Sequence, residues 1–482
     1  MSDGHDECGG SAGRRGEGRV HRGWALFTIL CMTFMETLDG TIVNVALPTM
    51  QVELGVEATQ IQLAASAFLV VTCAFLLVFG RLGDIVGKVR VFQLGVVLFT
   101  AGSALCALSS TLPALVGARV VQALGVAASL ANNQGIITEM FAESRGRALG
   151  LVATFTALGA MAGPTIGGAL VSSLPWESIF VINLPIGLVS LLVGLRVLPN
   201  RRPAERRSFD VVGALLVVPS ILLLFVAITL MESGVSPTAL IALAAGAAPL
   251  VTFVLAERRQ EEPLVRLEVF RSASFDIDLV AMVLVFLGLS GVTIVMPFYL
   301  QDALGLDPAV AGLVMACYPL VNATVGTLAG ALSDRVGCIK PTLLGQAVFA
   351  LGLLGLSLLT LSTPVSAIVP MLMFTSLGSA VFQSPNNSLI MGHAAPETLG
   401  FVGSLGNLMR YLGQSLGVTV SMGVLYGAMS ARAGRVVTSY VPGEPELFMA
   451  GLSTVFRVLA ALVLVGLALS LVRTLVIERR HR

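Results

Sequence analysis

The chain has 482 residues, of which 55% are hydrophobic and only 12% charged, with a net charge of +1 and a mean hydropathy of +0.89. A soluble domain carries roughly 25% charged residues, so this chain lacks the polar atoms to cover a surface facing water. Lipid is the solvent that resolves the excess, and the near-neutral balance excludes the basic surplus of a nucleic-acid binder.

Chemistry that needs a cofactor or metal finds no ligand set. The six cysteines, Cys8, Cys31, Cys73, Cys106, Cys317 and Cys338, include no C-x-x-C pair, and most lie in apolar runs where they read as packing residues. The four histidines, His5, His21, His393 and His481, all fall outside apolar segments, which excludes a buried histidine relay. No cofactor and no metal site is expected.

A helix needs about 20 mostly apolar residues to cross the hydrocarbon. Fourteen stretches qualify, at 24–47, 60–80, 89–109, 112–138, 147–171, 177–198, 209–231, 236–256, 277–300, 309–332, 341–361, 364–391, 399–427 and 451–476. The start carries Arg14, Arg15, Arg19 and Arg22 ahead of the first run and reads as an uncleaved signal anchor. With the N-terminus placed in the cytoplasm, all but five of the 29 basic residues lie at or near cytoplasmic connections. The exceptions are Arg432 and Arg435 outside, and Arg119, Arg410 and Arg457 within spans. This positive-inside asymmetry predicts a multi-pass protein of the cytoplasmic membrane with both termini cytoplasmic.

The first span holds the run Leu38-Asp39-Gly40-Thr41-Ile42-Val43-Asn44-Val45-Ala46-Leu47-Pro48, with Glu36 one turn earlier. A carboxylate inside a bilayer costs about 2.5 kcal/mol or more and marks function or a specific partner. Two close carboxylates repel when both are ionised, which suits a site that takes up and releases protons. No other acidic residue is expected deep within a span, since Glu139, Glu177, Glu232, Asp276 and Asp278 sit at ends. Between the second and third spans lies Gly80-Arg81-Leu82-Gly83-Asp84-Ile85-Val86-Gly87-Lys88-Val89-Arg90. It is not a phosphate loop, because Val89 follows Gly87-Lys88. Its echo, Gly330-Ala-Leu-Ser-Asp334-Arg335-Val-Gly337, follows the tenth span. The fourth span carries Arg119-Val-Val-Gln122-Ala-Leu-Gly125, and its permanently charged arginine needs an anion, with Asp39 or Glu36 the candidates. In the fifth, Gly159, Gly163 and Gly167 recur every fourth residue, with Pro164 and Gly168 beside them. They form a flat face on a helix that proline can bend.

Two polar breaks, Pro199 to Ser208 and Glu257 to Arg271, divide the chain into six helices, a two-helix insert and six more. The expected segments are a tail at 1–23, a bundle at 24–198, a linker and insert at 199–275, a second bundle at 276–476 and a tail at 477–482. The echoed loop argues for a parallel repeat with a substrate site between the halves. In the twelfth span, Gln383-Ser384-Pro385-Asn386-Asn387 predicts a break in the helix. Phe34, Gln122, Phe155, Met161, Gln383, Asn386, Asn387, Arg410 and Gln414 are candidates to line the cavity.

These four motifs, in this order, resemble the major facilitator superfamily, and within it the fourteen-helix drug:proton antiporters. The likeness runs over about residues 24–476. It implies an all-α membrane protein of two six-helix bundles plus the insert, not an enzyme. It also implies multidrug efflux by proton antiport of small amphipathic molecules, or export of a single metabolite or antibiotic in self-resistance. By resemblance, Asp39, Glu36 and Arg119 are the proton-coupling residues. Gly80, Arg81, Asp84, Gly87, Lys88 and Arg90, with Asp334 and Arg335, form a conformational latch. Gly159, Gly163, Pro164, Gly167 and Gly168 form the antiporter helix. The expected partners are small-molecule substrate, protons and lipid, with no nucleic acid, and the protein is expected to work as a monomer. Ile85 and Glu177 stand where the family usually has basic residues.

Overall fold

The computed structural model describes residues 10–141, 145–199, 210–231, 237–257, 270, 272–393 and 399–477, and no strand occurs among them. Backbone N–H and C=O groups in hydrocarbon must be bonded within the segment, so the apolar runs become helices. They are α1 (Gly10–Leu54), α2 (Ala58–Val86), α3 (Lys88–Ala107), α4 (Leu112–Met140), α5 (Arg145–Ser173), α6 (Ser178–Val197) and the insert pair α7 (Val211–Met231) and α8 (Pro237–Glu257). There follow α9 (Ala273–Ala303), α10 (Pro308–Val336), α11 (Ile339–Leu356), α12 (Val365–Gly392), α13 (Leu399–Ala433) and α14 (Pro445–Val472).

Thirteen of these are long and apolar enough to cross a membrane. The fourteenth, α13, has the length, at 35 residues. Its apolar average is diluted by glycines and by polar residues such as Asn407, Arg410, Gln414 and Ser415. The first helix reaches back to Gly10, well before the expected start, so the basic lead continues into the span. A one-residue break at Ile182 interrupts α6 immediately before Asn183. The two polar connections fall almost wholly outside the described residues.

One expectation fails. The helix α12 runs unbroken from Val365 to Gly392, with both Pro370 and Pro385 inside it. A proline removes one hydrogen bond, and here neighbouring packing compensates. Pro385 and Asn386 are buried, and the Asn386 side chain donates to the Asp278 carbonyl at 3.3 Å.

The repeat inferred from the loops is built into the packing. In the first half α1 lies against α5 and α6, and α4 against α2 and α3; in the second, α9 lies against α13 and α14, and α12 against α10 and α11. The halves meet along two seams that exchange under the same operation, α5 with α10 and α2 with α13. Both α2 and α10 are 29 residues long, and both end at a glycine with positive φ. Gly87 donates to Gly83 at 3.0 Å and Gly337 to Ser333 at 2.9 Å. A side chain would strain either position.

The glycine face of α5 serves two contacts. A Cβ at Gly159 would lie 2.5 Å from the Phe34 carbonyl oxygen, and Cβ atoms at Gly163 and Gly167 would collide with Thr41 and Ile42, so three glycines let α5 lie on α1. Gly168 and Pro164 face the other way, against Pro308 and Gly312 of α10. This contact seals the α5–α10 seam at the end that charge placement assigns to the outside. Gly163→Val should therefore overpack the α1–α5 contact, at a cost of about 1–3 kcal/mol. The expected readout is a lowered thermal midpoint of the purified protein in detergent, with Gly150→Val, at an open position, unchanged.

Candidate functional site

The centre of the first half is polar. Asp39 of α1, Ser103 of α3, Arg119 and Gln122 of α4 and Asn183 of α6 are all at most 1% exposed. Arg119 Nη1 donates to Asp39 Oδ2 and, at 2.6 Å, to Gln122 Oε1, while its Nε donates to the Ala64 carbonyl of α2 at 3.0 Å. The guanidinium stacks 4.0 Å above the Phe68 ring. The other Asp39 oxygen accepts from Gln122 at 2.8 Å and from Asn183 at 2.9 Å. Ser103 Oγ accepts from both amides, at 2.8 and 3.2 Å, and donates to the Phe99 carbonyl at 2.8 Å. Both charges are thus neutralised in place, and each carboxylate oxygen is bonded. A buried ion pair holds only when such extra hydrogen bonds complete it.

Glu36, one turn back on α1, is placed differently. It is 7% exposed, and the Ser129 hydroxyl of α4 donates to it. Among the described residues it has no ion pair. The two acidic residues of the first span therefore differ in kind. Asp39 is paired with a cation, while the partner described for Glu36 is a neutral hydroxyl of the same helix α4.

Two ion pairs of the loop lie within the first half. Lys88 contacts Glu139 at 2.6 Å and Asp84 at 3.7 Å, so the ion pairs of this motif join α2, α3 and α4. Arg81 and Arg90 are half-buried and Gly80 packs near Ala131. Arg335 is exposed, and the side chain of Asp334 lies outside the described residues.

The nine cavity candidates do not converge. Gln122 belongs to the Asp39 cluster. Phe34 and Phe155 line an apolar groove of about 280 Å³ with Phe27, Cys31, Pro185 and Ile186, among α1, α5 and α6 of one half. Met161 is half-buried on α5. Asn386 is buried against α9, Asn387 is exposed, and Gln383 and Gln414 are half-buried. Arg410 of α13 lies 5.1 Å from the centre of the Phe286 ring. Sequence reasoning assigned no role to Asn183 and Ser103, although a lone polar residue in an apolar helix was the available signal. It also placed Asp278 merely at a helix end, where the structure buries it in an ion pair of 2.6 Å with Arg473.

The profile of the Major Facilitator Superfamily matches residues 29–418. The riboflavin transporter RibZ of Clostridioides difficile (strain 630) is 34% identical over 82% of this chain and 86% of its own length. A protein named "Probable actinorhodin transporter" from Streptomyces coelicolor is 32% identical over 90% of this chain and 78% of its own. The multidrug resistance protein Stp of Mycobacterium tuberculosis (strain CDC 1551 / Oshkosh) is 30% identical over 83% and 75%. Among solved structures, a bacterial homologue of the human lysosomal transporter Spinster superposes with a TM-score of 0.67 at 15% identity, covering 93% of this chain and 96% of that one. At that identity the likeness concerns the fold.

Breaking a buried pair leaves an uncompensated charge, at a cost of about 3–5 kcal/mol. Asp39→Asn and Arg119→Gln should each lower the thermal midpoint in detergent, and the double variant should lose less than the two singles together. Additive losses would contradict the pairing.

Proposed function

The chain belongs to the major facilitator superfamily, and from that premise we propose that it exports small amphipathic molecules across the cytoplasmic membrane in exchange for protons. Multidrug and antibiotic transporters among its relatives support the substrate class. Both termini face the cytoplasm in this reading, as the placement of basic residues requires. Segments 24–198 and 276–476 rock as two bodies joined by 199–275, and one chain suffices. The loop after α2 and its counterpart after α10 latch the inner side. On the outer side, Gly168 and Pro164 of α5 close against α10.

The proton is carried by Glu36. The observation behind this is the contrast between the two carboxylates: among the described residues, Asp39 has Arg119 and two amides, while Glu36 has the hydroxyl of Ser129. Among the described residues no cation pairs with Glu36, so its proton can be exchanged without breaking an ion pair. In the outward-open state, Glu36 takes a proton from the external side. In the inward-open state, arriving substrate displaces that proton to the cytoplasm. The membrane potential adds about 2.3 kcal/mol per charge per 100 mV to each turnover. The Asp39–Arg119 pair stays intact and holds α1 against α4.

A second reading, a transporter of one compound, is favoured by the two relatives named for single compounds. A panel of substrates in an efflux assay separates the two.

Glu36→Gln should bind substrate yet lose at least tenfold in export driven by an imposed pH gradient in proteoliposomes. Glu36→Asp should retain part of it. Undiminished pH-driven export by Glu36→Gln would remove Glu36 from the coupling.

A further inference from the structure

The two seams between the halves are equivalent by the internal repeat, but the insert covers only one of them. Helix α7 packs on α2 and also on α13, and α8 packs on α7. Val217 of α7 and Phe253 of α8 are buried in one cluster with Leu76 and Leu77 of α2 and Leu405 and Leu408 of α13. The consequence appears in exposure. Over an 18-residue apolar stretch of each helix, and among the described residues, α2 is 61% buried, against 24% for α5 and 33% for α10. Among the described residues, α13 presents no large apolar side chain at the surface and α2 presents only Val86. On the two helices of the other seam, Leu158 of α5 is 40% and Leu328 of α10 is 68% exposed. The insert turns its other face outward, with Leu215 and Ile241 each 68% exposed. An apolar face of this kind fits lipid tails.

The uncovered seam is itself closed at one end. Gly168 and Pro164 meet Pro308 and Gly312 in the outer half, whereas towards the inner ends, among the described residues, a side chain at Gly150 of α5 would meet nothing within 4 Å and one at Gly330 of α10 would meet Ser384 of its own half. We propose that the insert is a lipid-excluding cover over the α2–α13 seam. Membrane-dissolved amphipathic substrate then reaches the centre by one lateral route, the inner-leaflet half of the α5–α10 seam. The cover touches both bodies, so it screens the moving joint without belonging to either bundle. The route rests on the export reading above; the cover does not.

Thiol labelling from the membrane phase tests both parts in full-length protein reconstituted into liposomes. The probe is N-pyrenylmaleimide, applied to variants with a single cysteine. Cys73, buried on α2 with its sulfur 3.8 Å from the Leu408 carbonyl, should label at least tenfold more slowly than Leu158→Cys. Loosening the cover with Val217→Gly and Phe253→Ala should raise the Cys73 rate at least tenfold. Equal rates in the intact protein, or no response to the loosened cover, would overturn the covering role whatever the transport result. In the second arm, labelled Gly150→Cys, at the open inner end of α5, should export a membrane-partitioning cationic dye at least tenfold more slowly, while Leu240→Cys, labelled on the outer face of α8, should export it normally. Equal export by the two would overturn the route. Absence of dye export by every unlabelled protein would instead defeat the export reading and the route with it, leaving the cover to the labelling rates.

Discussion

The first half is organised around one buried ion pair, Asp39 with Arg119. Neither charge could stay alone in this interior, and replacing water around each costs several kcal/mol. Gln122, Ser103 and Asn183 complete the hydrogen bonding, and the Phe68 ring covers the guanidinium. The set draws on α1, α3, α4 and α6, with α2 contributing a carbonyl, so the pair fixes how five helices approach one another. It also fixes the rotation of α1. With Asp39 held there, Glu36 one turn back meets the Ser129 hydroxyl of the same α4. A pair made this completely has little left to exchange, which is why the account gives the proton to its neighbour.

The same helix settles the geometry of opening. Three glycines of α5 lie on α1, and Gly168 lies on α10. The α5 helix is therefore tied to its own half and meets the other through a face of small residues that approach α10 closely. Such a contact can part without tearing hydrogen bonds, as a rocking body requires. The insert complicates this symmetry by packing on α2 and α13 at once, so one seam works under cover and the other works in lipid.

The fold was legible because lipid imposes a simple rule on backbone polar groups. Length, apolar runs and the placement of arginine produced the helix order, and the Gly87 and Gly337 turns made the repeat visible. Boundaries were less accurate where a helix continues beyond hydrocarbon, as at Gly10. The break expected at Pro385 was wrong because one missing hydrogen bond is tolerated inside a packed helix. The partners of Asp39 were half legible: Arg119 was expected from its need of an anion, but Asn183 was not, since side chains from α3 and α6 meet only in three dimensions. Phe34 and Phe155 share an apolar groove within one half because an aromatic residue in a span carries no signal of which way it faces.

The claim that Glu36, and not Asp39, exchanges the proton is tested most directly by proton release on adding substrate to purified protein in weakly buffered detergent solution. The account predicts release by the wild type and by folded Asp39→Asn, and none by Glu36→Gln. Release that survives in Glu36→Gln and vanishes in folded Asp39→Asn would contradict it.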